Sequence, residues 1–157
     1  MSAASPYVAT LGDMPRIWTF VRDAAGQIPF ALESESEQEA VLSELMASLS
    51  SGFTQVAFDA GGAVQGALLA RRDTFEWGFR NSPALHVTYA ALAPEAAAAD
   101  LVPALLAPLK EAGAPIYFSV RAGNALDFAA LLPSLGFEHL AKSPWGDLYL
   151  WEPRKPH

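Results

Sequence analysis

The stretch from 84 to 120 constrains the fold more than any other part of the chain. ALHVTYAAL at 84–92 is an apolar run of strand type. In the segment opening near 95 or 100 and running to 112, Ala98, Leu101, Val102, Leu105, Leu106 and Leu109 then recur at helical spacing, up to Gly113. PIYFSV at 115–120 is again an apolar, β-rich strand. A helix with one apolar stripe must lie on a surface, and apolar strands must be covered, so this triplet requires a layered sheet-and-helix packing.

The flanking segments supply the other layers. PYVATL (6–11) reads as a strand. Asp13 caps a helix with Pro15 in its first turn and Ile17, Trp18, Phe20 and Val21 on one face, ended at Gly26. Ser34 or Ser36 opens a second helix, with Val41, Leu42, Leu45, Met46 and Leu49 at helical spacing before Gly52. TQVAFDA and AVQGALLARRD flank a Gly61-Gly62 turn and form a hairpin. Residues 124–134 read as a helix closed by Gly136, and FEHLAK and DLYLWEP are the last strands. The order is β-α-α-β-β-β-α-β-α-β-β. It predicts an α/β (α+β) fold, with one mixed central sheet carrying helices on both faces. The 157 residues suit a single domain over 1–157, with no linker or repeat.

Hydrophobic content of 52% with 17% charged residues fits a folded globular chain. With no cysteine there is no disulfide, zinc–thiolate site or thiol nucleophile. The apolar runs are too short to span a membrane, and MSAASPYVAT lacks the marks of a signal peptide, so a cytoplasmic protein is expected. The net charge of −7, with Arg71 and Arg72 as a basic pair and no larger basic cluster, disfavours nucleic acid as a partner. It suits a cationic substrate and equally suits simple solubility. No His, Asp and Glu cluster has metal-ligand spacing. Gly-x-Ser-x-Gly, dinucleotide and P-loop patterns are also missing.

The element order, together with FSVRAGNALDFAALLPSLGFE (118–138), resembles the GNAT superfamily of acyl-CoA-dependent N-acyltransferases. The resemblance covers roughly Tyr7 to Trp151. EWGFRNSPALHVTYAALAPE and SVRAGNALDF are most similar to its diamine and small-amine acetyltransferases. It implies a split between the strand ending at Leu92 and PIYFSV, in which acetyl-CoA or another acyl-CoA binds. The pantetheine arm would pair with backbone near Leu92 and Ala93. The amine would arrive over the first helices and the 75–81 connection. Such transfer needs a base for the amine proton, N–H groups on the thioester carbonyl and an acid for the thiolate. Members of the superfamily often form homodimers.

The family's phosphate loop runs Val-x-Pro, then Arg or Gln, two residues, Gly, x, Gly or Ala, and two closing leucines. Here Leu92 and Pro94 hold the first slots, and Leu105 and Leu106 the last. Ala97 stands for Arg or Gln, Asp100 for the first Gly and Val102 for the second. Two like charges about 5 Å apart at an effective dielectric of about 20 repel by roughly 3 kcal/mol. Asp100 is therefore expected to oppose pyrophosphate, and as an N-cap it would also occupy the first N–H groups. Pro103 removes one more donor. A loop of Ala97, Ala98 and Ala99 still offers backbone N–H groups. The family's acidic Tyr falls on Leu132 or on Ala129, depending on the end counted from. The helix carrying them reads longer than the family's.

Asn124 matches the family's asparagine within one position and also suits an N-cap. His86, upstream on the strand to Leu92, suits a general base and equally a hydrogen-bonded core histidine. Strand alternation places 86, 88, 90 and 92 on one face, barring a bulge, and Tyr89 on the other. Glu33, Glu35 and Glu37 could meet a cationic amine, or serve a helix dipole. Trp18, Phe30, Phe75, Trp77, Tyr89 and Trp145 could wall the acceptor pocket or belong to the core. Two functions follow. One is acyl transfer to a small amine with His86 as base. The other is a non-catalytic GNAT-fold module binding a ligand or protein, its phosphate grip closed by Asp100.

Overall fold

The computed structural model describes residues 6–24, 32–77, 80–122, 124, 126–144 and 146–153, with backbone alone for 73–77 and 80–83. Strand β1 (Pro6–Val8) leads through a 3-10 turn to α1 (Met14–Asp23) and α2 (Glu35–Ser50). Then come β2 (Gln55–Phe58), β3 (Val64–Trp77), β4 (Arg80–Leu92), α3 (Ala98–Glu111), β5 (Ile116–Arg121), α4 (Phe128–Ser134), β6 (Glu138–Ser143) and β7 (Gly146–Trp151). The strands form one seven-stranded mixed sheet in the order β1-β2-β3-β4-β5-β7-β6. Among the described strands β4 and β5 alone pair in parallel, joined by α3 as the crossover.

Alternation along β3 sends neighbouring side chains to two cores. Leu68 and Ala70 join Leu101, Val102, Leu105, Leu106 and Leu109 of α3 and Phe128 and Leu132 of α4. Ala67 and Leu69 join Ile17 and Val21 of α1 and Val41, Leu45 and Leu49 of α2. Gly66 lets α3 lie close to the sheet: a Cβ there would stand 2.7 Å from Leu101 Cδ2 and 2.8 Å from Leu92 Cδ2.

The expected elements are present, with local corrections. Ser34 caps α2: its Oγ accepts the Glu37 N–H at 3.1 Å, and Glu37 accepts the Ser34 N–H in return. Residues 75–77 and 80–81, expected in a connection, belong to the β3–β4 ladder, which runs to Trp77↔Arg80. The fourth helix is shorter than its apolar pattern suggested, because Asp127 caps it and accepts the Ala130 N–H at 3.2 Å. Asn124 lies before that cap, and its Oδ1 accepts the Leu126 N–H at 2.8 Å in an Asx turn. No described helix is long and apolar enough to cross a membrane.

Candidate active site

Strands β4 and β5 pair at Leu85↔Ile116, His86↔Tyr117 and Val87↔Phe118. Past that rung they are unpaired with each other, although β4 continues to Leu92 and β5 to Arg121. Their outer edges stay bonded, β4 to β3 as far as Gly66↔Leu92 and β5 to β7 as far as Arg121↔Gly146. The divergence begins at a bulge. Leu69 faces Tyr89 and Ala70 faces Val87, which leaves Thr88 as an extra residue in β4. Bulges bend a strand and raise its twist.

The bulge also overturns the expected alternation. Leu85, Val87, Ala90 and Leu92 all enter the α3–α4 core. His86, Thr88 and Tyr89 instead line a cavity of about 600 Å³ on the α2 side. His86 and Tyr89 thus share a face, contrary to the simple count, because one residue is skipped between them. Glu44 of α2, Arg71 of β3, Ser119 and Arg121 of β5, and Asp147 of β7 complete the polar lining together with Ser143.

Inside it, His86 Nε2 and Ser119 Oγ are 2.6 Å apart across the two diverging strands. Arg71 Nε donates to Glu44 Oε1 at 2.9 Å. Arg121 Nη2 donates to the Tyr89 hydroxyl at 2.9 Å, with its guanidinium carbon 4.9 Å from the ring centre. A smaller cavity of about 390 Å³ adjoins it, sharing Arg121 and Asp147 and lined by Asn124, Asp127, Ala129 and Tyr149. Burial pushes the Tyr149 phenol up from its ordinary value, and Asp147 and Asp127 add to the effect.

Beyond the end of β4 lies the mouth of α3. The helix begins at Ala98, and its N-cap is Ala97, with no side-chain cap. Asp100 is therefore not the N-cap. It sits exposed in the first turn, where its N–H bonds back to the Ala97 carbonyl at 3.1 Å, and its carboxylate leaves the first N–H groups uncovered. Val102 is fully buried against the sheet, and Pro103 lies past the first turn, so neither faces the mouth. The helix start has moved toward the N-terminus relative to the expected slots. Ala97 and Ala99 are exposed at the mouth and Ala98 is half-buried, whereas Leu92 and Ala93 are buried beside it.

The remaining candidates separate from the cavity. Trp18 packs half-buried against the α1–α2 core, with Arg22 over its ring at 5.5 Å. Glu33 is exposed before α2, and neither it nor Trp18 lines either cavity. Phe30 and Trp145 lie outside the described residues, and Trp77 is described by backbone alone. Leu132 is core, and Ala129 carries no acid. Ser119, Arg121, Arg71, Glu44 and Tyr149 were missed. For the first two a signal existed: in IYFSVR they alternate with Ile116, Phe118 and Val120, which marks a polar face on an otherwise core strand.

In sequence, no family model and no curated protein matches the chain. Solved structures match nearly all of it. A histone acetyltransferase HPA2 and related acetyltransferase from Corynebacterium glutamicum aligns with a TM-score of 0.70 at 18% identity, covering 99% of each chain. The PaiA N-acetyltransferase of Thermoplasma acidophilum, solved in complex with coenzyme A, aligns at 0.62 and 14% identity over 96% of this chain and 99% of that one. This is the GNAT fold. The GNAT-fold polyamine N-acetyltransferase of Drosophila melanogaster, which forms N-acetylagmatine, aligns at 0.64 and 12% identity over 94% and 98%. In this GNAT-fold chain β4 runs from the strand divergence to Leu92 and leads through 93–97 into the helix mouth.

Proposed function

We propose that the chain is an acyl-CoA-dependent N-acyltransferase acting on a small amine. The observation that carries this reading is the His86–Ser119 pair, one residue from each strand, at the point where β4 and β5 part and inside the cavity of about 600 Å³. The polyamine acetyltransferase and the coenzyme A complex among the similar structures support it.

The chain fits an acyl-CoA donor in one respect and resists it in another. The N-terminus of α3 has no capping side chain and offers backbone N–H groups at the positive end of a dipole. Asp100 sets a negative charge within the same turn, which lowers the affinity for a polyanion without filling the site. Backbone at Leu92 and Ala93 and the N–H groups around Ala97, Ala98 and Ala99 would hold the donor. The donor supplies an acyl thioester as electrophile.

An amine attacks only as the neutral base. With Ser119 Oγ–H donating to His86 Nε2, the hydroxyl oxygen accepts the amine proton while the imidazole takes the serine's, so charge moves onto His86. The phenol of Tyr149, kept protonated by burial, lines the adjoining cavity and is the described candidate for the acid.

Calorimetric titration of acetyl-CoA into the wild type and Asp100→Ala, followed by thiol release with an amine panel, tests this. Binding by the wild type and amine-dependent release that His86→Gln abolishes are expected. If neither protein binds donor, the reading is wrong. If only Asp100→Ala binds, the chain is a GNAT-fold module that has closed its own donor site.

A further inference from the structure

The two arginines of the main cavity stand in different electrical surroundings. Arg71 is met by the Glu44 carboxylate, and the other acid in the lining, Asp147, is engaged by His139 Nε2 at 2.9 Å. Arg121 has no carboxylate partner among the described residues. Among the described residues its guanidinium meets the Tyr89 hydroxyl and ring, and its Nε is buried without an acceptor. A guanidinium offers a planar fork of donors suited to a carboxylate, and a buried donor left unmet is unfavourable. The cavity therefore holds one arginine met by a carboxylate and one that, among the described residues, is not.

The backbone of Arg121 lies close to the candidate chemistry. Arg121 follows Ser119 by two residues and projects to the same face of β5, about 6.6 Å further along. We propose that Arg121 anchors an acceptor carboxylate, so that the substrate is a short amino acid and not a diamine. This rests on the acyl-transfer reading. The amine lies at Ser119 and His86, and the carboxylate takes the place of the Tyr89 hydroxyl on the guanidinium. A linker of one to three carbons keeps the two groups short enough for both to lie within the one cavity that Ser119, His86 and Arg121 line. A diamine would bring its second ammonium against Arg121.

The test compares acceptors matched in size. Thiol release from acetyl-CoA is measured with glycine, β-alanine and γ-aminobutyrate, with their carboxamides, and with 1,4-diaminobutane. The wild type should use at least one acid about tenfold or more better in kcat/KM than its amide, the scale of a charge-assisted pair. Arg121→Gln should erase that preference by raising KM for the acids alone, and Arg121→Lys should keep part of it. Equal use of acid and amide, preference for the diamine, or an equal loss on both acceptors in Arg121→Gln would overturn the assignment while leaving acyl transfer standing. If no acceptor reacts and acetyl-CoA does not bind, acyl transfer falls by itself. Calorimetry with the amino acids alone then decides the anchor: binding lost in a folded Arg121→Gln supports it, and no binding to the wild type refutes it.

Discussion

The mouth of α3 and the cavity beside β4 and β5 are made of different material. At the α3 mouth, alanines surround a set of backbone N–H groups, and the one charged side chain in the first turn is Asp100. On the α2 side, nine polar or ionisable side chains converge from six elements. Backbone donors survive a change of side chain, so a lost loop signature says little about whether the mouth can grip an anion. A site made of side chains is defined by their identity, and single substitutions should reach it directly.

The largest expected effect breaks the two sides apart. His86→Gln should lower amine transfer by about 10²- to 10⁴-fold, the usual worth of a general base, and leave acetyl-CoA affinity unchanged. Calorimetry and turnover on the same sample check this. Equal losses in both would mean that the two sides are not separate.

Next comes Gly66→Ala, whose Cβ would crowd Leu101 and Leu92 beneath the mouth. Overpacking of this kind costs about 1–3 kcal/mol. Thermal unfolding should show the loss, and donor affinity should fall more than acceptor affinity. A smaller change is expected from Asp100→Ala, which should tighten acetyl-CoA binding about two- to tenfold at low salt and less at high salt, because the charge is exposed.

The smallest effect concerns pH. Burial raises the Tyr149 phenol, so the folded state favours its protonated form. That stability is fully present below the ordinary value near 10 and is lost as the pH rises through the higher folded value. Tyr149→Phe should keep the ring packing and flatten the alkaline limb of a stability profile, with a change of less than about 1 kcal/mol at neutral pH.

Most of the architecture could be read from hydrophobic period and punctuation, because apolar stripes such as Leu101, Val102, Leu105 and Leu106 have one way to lie on a sheet. The site was legible in part. His86 and Tyr89 were identifiable as candidates, but the extra residue at Thr88 decides which way they face, and no residue type there announces a bulge. Asp100 was misplaced as a cap because Asp favours that role, whereas tertiary packing of Leu101 and Val102 starts the helix at Ala98. Arg121 gains its meaning only from partners distant in sequence, Tyr89 above all.

The extra residue in β4 also limits how such a chain can change over generations. The loop alanines can be exchanged one codon at a time, and each intermediate keeps a packed interior. Deleting Thr88 would leave a regular ladder in which Val87, Ala90 and Leu92 keep their interior places, so the core would survive. The cost would fall on the site, because Thr88 leaves the cavity lining and the bend at which β4 departs from β5 is lost. The interior can therefore outlive the loss of this one-residue stutter, and the opening cannot.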